Sequence, residues 1–341
     1  MVIRRLLSIF IVFLVSLFLL EIGLRFYQAR TLHFIGVSQM EISPEERYLW
    51  WGGAKIADGK QQHHYIISKN PRLFYEPTEW FYSFKERIEK NQEAYKIFIL
   101  GDSTTRLKPE PDDRCIYYPC QLEALLKKSV PYKNFIVGNF GIPGYSTAQE
   151  VEFLEKRLLK FHPDLVIVGY CFNDKEVKHR IIKKGEHYYT TNLRSDTPYC
   201  PFLPFSENVY IYSDVYKALD YCIVNMCRKF DYKINYADIG AHQSMTALKR
   251  LKYLSDKYKF RLVFILLPDF LKSSDKEKVW IKNALKETGI DFIDVSGILE
   301  NYKDKNIRIA PDDRFHFNEV GHGLVSGILE EFIEKKIANE Q

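Results

Sequence analysis

The fold of this chain is decided by the stretch Ile97-Phe98-Ile99-Leu100-Gly101-Asp102-Ser103, in which an unbroken apolar run ends in a polar turn. A short aliphatic run without polar alternation is typical of a strand that is buried on both faces of a parallel sheet. Further short apolar runs follow it, and longer amphipathic segments lie between them. This alternation predicts an α/β fold, a three-layer doubly wound parallel sheet covered by helices.

The predicted elements extend from residue 96 to residue 336. Strands are expected at residues 96–100, 135–139, 165–169, 262–267 and 292–295. Helices are expected at residues 119–128, 147–160, 244–258, 276–288 and 318–336. In doubly wound folds the functional site lies beyond the carboxyl ends of the strands. The segments that follow the predicted strands are therefore the first place to look for chemistry.

Three of the predicted strands are followed by residues that can take part in catalysis. Ser103 follows the first strand, Gly144 follows the second, and Asn173 follows the third. Because the carboxyl ends of parallel strands meet at one edge of a sheet, these residues are expected to converge there. A fourth segment near the end of the chain, Asp313-Arg314-Phe315-His316, adds a carboxylate and an imidazole.

Together these segments supply the groups that acyl transfer through a serine requires. Ser103 is the candidate nucleophile and needs a neighbouring base, a role that His316 can fill. Asp313 lies three residues before His316, so on a turn its carboxylate can orient the imidazole. The oxyanion that develops during reaction needs fixed donors, and the candidates are the backbone N–H groups of Ser103 and Gly144 and the side-chain amide of Asn173.

Taken in order, the four segments resemble the SGNH (GDSL-type) hydrolase family over roughly residues 96 to 330. The resemblance implies a flavodoxin-like sheet, no cofactor, and the same five residues in the roles given above. The chain departs from the usual third block of the family, Gly-x-Asn-Asp, by having Cys171 in place of the glycine. His322, in the Gly-His pair that often follows the histidine block, is expected to pack against a helix and not to catalyse.

The amino terminus has the composition of a membrane-spanning helix. Arg4 and Arg5 precede an apolar run that begins at Leu6 and continues to about Tyr27. A helix of this length spans roughly 30 Å, which matches the hydrocarbon core of a bilayer. We expect residues 1–30 to be a retained single-pass anchor, with a cleaved signal peptide as the alternative. The two arginines predict a cytoplasmic amino terminus and an extracytoplasmic domain, periplasmic or extracellular.

Beyond the anchor, the sequence predicts two further regions. Residues 31–95 are expected to form a membrane-proximal stalk that packs on the domain, and residues 96–338 to form the hydrolase-like domain. An aromatic and basic insertion at about residues 175–243 interrupts the α/β alternation. It is expected either to overhang the site or to be a structural elaboration.

Composition excludes several classes of function. Charged residues make up 27% and hydrophobic residues 46% of the 341 residues, which is typical of a folded domain. The net charge of +5 is spread along the chain, so it does not indicate nucleic-acid binding. No His-Glu-x-x-His metal motif and no glycine-rich nucleotide loop is present. Six cysteines leave open either one or two disulfides or unpaired buried thiols.

The function expected from these observations is that of an extracytoplasmic serine esterase. Its expected partners are the membrane, through the apolar helix, and an ester-bearing small molecule, glycan or lipid of the cell envelope, with O-acetyl as one candidate ester. Two alternatives stay open at this point. One is an O-acyltransferase that passes the acyl group to a glycan, and the other is an inactive binding module of the same fold.

Overall fold

The structure is a computed structural model, and it describes most of the chain outside the insertion. The described residues are 2–31, 38–41, 54–55, 61–62, 65–67, 73, 75–77, 79–106, 115–171, 174, 180–184, 187–192, 215, 218–219, 222, 237–270, 275–299, 302 and 306–338.

The described residues form eight α-helices and twelve strands. The helices are α1 (Val2–Thr31), α2 (Glu79–Lys90), α3 (Tyr118–Ser129), α4 (Thr147–Phe153), α5 (Ala237–Tyr258), α6 (Asp275–Thr288), α7 (Val295–Leu299) and α8 (Glu319–Ala338). The strands are β1 (Ser38–Glu41), β2 (Ala54–Lys55), β3 (Gln61–Gln62), β4 (Tyr65–Ile67), β5 (Tyr75–Pro77), β6 (Tyr95–Gly101), β7 (Phe135–Gly141), β8 (Leu165–Tyr170), β9 (Arg180–Lys184), β10 (His187–Asn192), β11 (Arg261–Leu266) and β12 (Asp291–Ile293).

Five of the strands form one parallel sheet in the order β12-β11-β8-β6-β7. Numbered along the chain from β6, this order is 2-1-3-4-5, the arrangement of a flavodoxin-like doubly wound sheet. β6 pairs with β7 on one side and β8 on the other, so Gly101 lies opposite both Gly141 and Gly169. The predicted doubly wound parallel sheet is confirmed.

One face of this sheet is covered by α3, α7 and α8. Alternate residues of four strands point to this face, as the two-residue period of a strand requires. They pack against apolar residues that repeat at helical spacing on α3 and α8. The buried cluster includes Ile97, Ile99, Val137, Ile167, Ile265, Leu122, Leu126, Val295, Val325, Leu329 and Ile333.

The opposite face of the sheet is built around aromatic rings. Phe98 of β6 and Phe140 of β7 both meet the ring of Phe84, from α2, edge to face at 5.5 Å and 4.8 Å between centroids. The ring of Phe153, from α4, lies 6.4 Å from that of Phe140. Arg250 of α5 is within 3.3 Å of a carboxylate on α4, so α5 continues the same layer. Helices thus cover both faces, which makes three layers.

Four predicted boundaries differ from the structure for identifiable reasons. The helix expected at 147–160 is α-helical only through Phe153 and then widens into a π-helical turn (Leu154–Leu158) and a short 3₁₀ turn (Leu159–Phe161). Leu154, Leu158 and Leu159 are all buried, so the wider turn lets all three contribute to the core.

The last predicted strand does not reach residue 295. It ends at Ile293, because the Asp294 carboxylate accepts hydrogen bonds from the Ser296 hydroxyl (2.7 Å) and the Gly297 N–H (3.0 Å) and thereby starts α7.

The helix α5 begins at Ala237, seven residues before the predicted start at Ser244 and inside the expected insertion. Gly240 lowers helix propensity by only about 1 kcal/mol and does not interrupt it. α8 begins at Glu319, because Asn318 is its N-cap and accepts from the Gly321 N–H at 3.0 Å.

The chain divides into two compact units. The sheet described above belongs to the unit formed by residues 44–68, 75–176 and 241–341, and the other unit comprises residues 1–43, 69–74 and 177–240. The second unit contains α1 and the antiparallel sheet β1-β10-β9. Within it, the Glu21 carboxylate of α1 accepts from Arg25 Nε at 2.8 Å and from the Val215 N–H at 2.9 Å.

Two further features bear on the sequence predictions. The span Leu7–Tyr27 is long and apolar enough, by length and composition, to cross a membrane. Cys115 and Cys120 form a disulfide with 5.4 Å between their Cα atoms. Cys171, which is buried, and Cys222, which is exposed, are in no disulfide, whereas Cys200 and Cys227 lie outside the described residues.

Candidate active site

The turn that follows β6 carries Ser103 and is held by a buried carboxylate. Asp102 is fully buried, and its Oδ1 accepts hydrogen bonds from the Thr104 N–H at 2.8 Å and the Thr104 hydroxyl at 2.7 Å. Its carbonyl oxygen accepts from the N–H groups of Thr105 (3.2 Å) and Arg106 (3.1 Å). These bonds on both sides fix the backbone at Ser103, so the turn presents the serine side chain at the edge of the sheet.

The end of β7 packs closely against the residues that follow β6 and supports the same turn. The Thr105 hydroxyl is 2.8 Å from the Tyr118 hydroxyl, which ties the turn to α3. A Cβ atom at Gly141, the last residue of β7, would lie 2.8 Å from Thr105 Cβ and 2.9 Å from the Arg106 backbone nitrogen. Only glycine leaves room for this contact.

The segment before α8 forms a closed loop that carries Asp313 and His316. Arg308 and Phe317 form an antiparallel bridge, and the Asn318 N–H donates to the Ile307 carbonyl at 3.0 Å. Between these ends, the Asp313 carboxylate accepts from the backbone N–H groups of Phe315 (2.9 Å) and His316 (2.7 Å). The carboxylate is therefore oriented by its own loop.

The structure brings Ser103, His316 and Asp313 into one line of hydrogen bonds, although 213 residues separate the serine from the histidine. His316 Nε2 lies 2.9 Å from Ser103 Oγ. His316 Nδ1 lies 3.0 Å from Asp313 Oδ1 and 2.9 Å from Oδ2. This order of an alcohol, an imidazole and a carboxylate is the arrangement that activates a serine.

The charge of Asp313 determines which imidazole nitrogen carries the proton. Partial burial raises the pKa of Asp313, but the hydrogen bonds from His316 and from the Phe315 N–H outweigh it, so the pKa lies below its ordinary value. The ionised carboxylate is an acceptor only, which assigns the hydrogen to Nδ1 of a neutral His316. Nε2 then accepts a hydrogen bond from the Ser103 hydroxyl and is free to take its proton.

Of the two predicted oxyanion residues that follow β7 and β8, the structure describes Gly144 and not Asn173. Gly144 lies in the turn after β7, next to the strand that leads to Ser103, and its φ of 77° requires glycine there. Asn173 lies outside the described residues. The residues that flank it are joined by a hydrogen bond: the buried Asp174 carboxylate accepts from the Cys171 N–H at 2.7 Å. The oxyanion roles of Gly144 and Asn173 stay predictions.

His322 is buried in α8, away from the line of triad hydrogen bonds. Its ring lies among those of Tyr117, Tyr118 and Phe317, at centroid distances of 5.1, 5.8 and 5.5 Å. Among the described residues no group makes a hydrogen bond to its Nδ1. Burial lowers the pKa of His322 to about 3, with a smaller contribution from the positive charge that the His316 ring carries once it takes up a proton. The side chain is therefore neutral near pH 7 and packs like an aromatic residue.

Sequence reasoning missed two carboxylates at this edge of the sheet. At Asp102, the signal that could have found it is an aspartate whose carboxylate accepts from the backbone N–H two residues later, a known turn pattern. Asp269 was not singled out, yet it follows the predicted strand at 262–267 in the same way that Ser103 follows its own strand. Asp269 is buried and forms an ion pair with Arg314, inside the Asp313–His316 segment.

Within the described part of the chain, no group of three or more His, Cys, Asp or Glu side chains is arranged to hold a metal ion. The candidate site is formed by the serine turn and the histidine loop, and the turn at Gly144 follows the neighbouring strand β7.

No family model and no curated protein matches this chain. Among solved structures, an acetylxylan esterase from Geobacillus stearothermophilus is 15% identical, with a TM-score of 0.42 over 68% of this chain and 91% of that chain. An α/β hydrolase enzyme from the metagenome of Lake Arreo, Spain, is 14% identical, with a TM-score of 0.43 over 68% and 91%. A two-domain esterase active on acetylated mannans is 16% identical, with a TM-score of 0.44 over 74% of this chain and 52% of its own. At these identities and TM-scores the likeness carries no argument about substrate or chemistry.

Replacing His322 by phenylalanine is expected to make the stability of the protein less sensitive to acid and to leave unchanged any activity that depends on Ser103 and His316. The pKa of His322 is lower in the folded chain, about 3, than in the unfolded chain, about 6.5. The unfolded state therefore binds more protons between these values, and stability falls as the pH drops through this window. The contribution of His322 between pH 7 and pH 4 is about 3 kcal/mol.

Urea unfolding at pH 7 and pH 4 measures this difference. The loss of stability on acidification should be smaller in His322→Phe than in the wild type by about that amount. Equal losses in the two proteins, or an inactive His322→Phe variant that is folded, would contradict this account of His322.

Proposed function

We propose that this protein is a serine esterase that hydrolyses an ester of a cell-envelope glycan or lipid, with acetyl as the acyl group to test first. The observation that carries the proposal is the continuous line of hydrogen bonds from Ser103 through His316 to Asp313. Its distances of 2.9 to 3.0 Å are within the reach that proton transfer requires.

In the first half of the reaction, Ser103 Oγ attacks the ester carbonyl carbon while its proton moves to His316 Nε2. Asp313 stabilises the imidazolium that forms and keeps the ring in place. The tetrahedral intermediate carries its negative charge on the former carbonyl oxygen, where the Ser103 and Gly144 N–H groups and the Asn173 amide are the proposed donors. Collapse breaks the ester C–O bond, and the departing alcohol takes the proton from Nε2. The acyl group is left on Ser103.

In the second half, water repeats the sequence on the acyl-enzyme. Nε2 accepts a proton from the water as its oxygen bonds to the acyl carbon. The bond between that carbon and Ser103 Oγ then breaks, and Oγ recovers the proton from Nε2. The carboxylic acid leaves, and the resting state is restored. None of these steps needs a cofactor.

Two features support an extracytoplasmic, membrane-anchored protein. The span Leu7–Tyr27 has the length and composition of a transmembrane helix, and two arginines precede it. The disulfide between Cys115 and Cys120 is of a kind that persists in oxidising compartments. We propose that residues 1–30 anchor the chain and that the catalytic domain lies on the far side of the membrane from the amino terminus.

Replacing either Ser103 or His316 by alanine is expected to lower turnover of 4-nitrophenyl acetate by about 10³-fold or more, because the triad acts as a unit. The full chain in detergent should react with a fluorophosphonate probe, and Ser103→Ala should not. Ser326→Ala is the matched control, because Ser326 is buried and its hydroxyl donates within α8 to the Gly323 carbonyl.

Two results would count against hydrolysis. A folded wild-type protein that the probe does not label would favour the inactive binding module. Transfer of labelled acetyl to an added glycan, in place of release as acetic acid, would favour the O-acyltransferase.

Replacing Asn173 by alanine is expected to lower kcat by about 10² to 10³-fold with little change in KM, because an oxyanion donor acts in the transition state more than in the ground state. Steady-state kinetics on an acetyl ester measure both constants. A variant with unchanged kcat would remove Asn173 from the proposed oxyanion hole.

The proposed orientation predicts that protease added to right-side-out membrane vesicles removes the domain without detergent, since the domain then faces the added enzyme. Immunoblotting with an antibody against the carboxyl terminus follows the digestion. A domain that is protected until detergent is added would reverse the proposed orientation.

A further inference from the structure

Asp269 is outside the triad, but its carboxylate holds the loop that carries the triad. We propose that Asp269 is a positioning residue: through Arg314 it keeps the Asp313–His316 segment fixed to the sheet, so that His316 stays in line with Ser103. This proposal rests on the proposed function for its kinetic consequence, whereas its structural consequence can be tested without any turnover.

The contact between Asp269 and Arg314 is a bidentate ion pair. Arg314 Nε donates to Asp269 Oδ1 at 2.9 Å, and Arg314 Nη2 donates to Oδ2 at 2.7 Å. Two parallel charge-assisted hydrogen bonds fix the plane of the guanidinium as well as its distance. The Asp269 side chain is only 2% exposed and that of Arg314 39% exposed. The carboxylate is therefore held in the protein interior, and the more exposed arginine on the loop reaches in to it.

The backbone next to Asp269 holds the same loop a second time. The Phe270 N–H donates to the Arg314 carbonyl at 2.9 Å, so two consecutive residues bind the side chain and the main chain of residue 314. The ring of Phe270 also meets that of Phe317 edge to face, with 5.5 Å between centroids. The segment after β11 thus contacts the loop inside the triad segment and just beyond His316.

These contacts fix the position of the loop relative to the sheet, which the hydrogen bonds within the loop do not. The hydrogen bonds of Asp313 to the N–H groups of Phe315 and His316 set the aspartate relative to the histidine. They do not set the loop relative to Ser103, which follows β6. Asp269 follows β11, which belongs to the same parallel sheet, with β8 between it and β6. The Asp269–Arg314 pair therefore connects the loop to the rigid body that also carries the nucleophile.

The alignment matters most for esters with poor leaving groups. An alkyl alkoxide must receive a proton from the His316 imidazolium as it departs, whereas 4-nitrophenolate leaves without one. A misplacement of a catalytic group by about 1 Å can cost about 10²-fold in rate. Loss of the Asp269–Arg314 pair should therefore slow the alkyl ester more than the activated ester.

The kinetic experiment compares Asp269→Asn and Arg314→Gln with the wild type on ethyl acetate and 4-nitrophenyl acetate. For each variant we expect kcat/KM on ethyl acetate to fall by about 10²-fold and kcat/KM on 4-nitrophenyl acetate by less than about tenfold. We compare kcat/KM because it reports the acylation step, in which the two leaving groups differ, whereas both esters share the deacylation of one acetyl-enzyme. Arg314→Lys, which keeps the charge but not the two-point contact, should lie in between. A variant that is merely less folded loses both activities by the same factor, so a constant ratio would overturn the proposal.

The double variant tests whether the two residues act through each other. If Asp269 works through Arg314, Asp269→Asn/Arg314→Gln should be no slower than the more affected single variant. Multiplication of the two single effects would mean that the residues act independently, and would overturn the proposal. The matched control is Glu123→Gln. Glu123 is a largely buried carboxylate that accepts from Arg87 Nη2 at 2.7 Å on both oxygens, and it is not part of the site.

Hydrogen–deuterium exchange tests the structural claim without reference to activity. Peptides that cover residues 306–318 should exchange about tenfold faster in Asp269→Asn than in the wild type, because the loop opens locally when it loses the pair. The same peptides should be unchanged in Glu123→Gln. Unchanged exchange in Asp269→Asn would overturn the proposal even if activity falls. A wild-type protein without ester turnover, but with the expected exchange, would refute only the proposed function.

Discussion

The pairing of β6 between β7 and β8 is the constraint on which the rest of the structure depends. Parallel pairing puts the carboxyl ends of all five strands at one edge. The helix after β6, α3, covers one face of the sheet, whereas α4 and α5 cover the other. The chain therefore leaves β6 and β8 toward opposite faces of the sheet, at the point where the strand order reverses. Ser103 lies at this point because it follows the carboxyl end of β6 by two residues.

Two carboxylates that take no part in the proposed reaction are buried at the same edge of the sheet, and each of them holds a loop. Asp102 is buried under the serine turn and satisfied by Thr104, and Asp269 is buried beneath the histidine loop and paired with Arg314. A buried carboxylate is costly unless hydrogen bonds compensate it, so each of these groups restricts its loop to conformations that supply the donors. His322 follows the opposite course, because burial among aromatic rings keeps it neutral.

Much of the fold and site could be predicted because local signals agreed with the global arrangement. Five short apolar strands, the serine turn and the Asp313–His316 segment each had a recognisable pattern, and the sheet formed from the strands as expected. The differences occurred where packing or capping overrode the hydrophobic pattern. Asp294 ended a strand that its apolar neighbours favoured, and three buried leucines widened the turn after Phe153. Such choices depend on contacts with distant parts of the chain, which hydrophobic periodicity does not encode.

The sequence by itself determined the chemical inventory of this protein: which strands are buried, which residues can act as nucleophile, base and carboxylate, and that an apolar helix begins the chain. Only the tertiary structure decided the distances. Ser103 and His316 meet at 2.9 Å across 213 residues because two loops rest on one sheet. The residue that connects the second loop to that sheet, Asp269, is marked in the sequence only by its place after a predicted strand, and its partner Arg314 is not marked at all. The reason is physical: a carboxylate is a partner only when folding brings a donor to it.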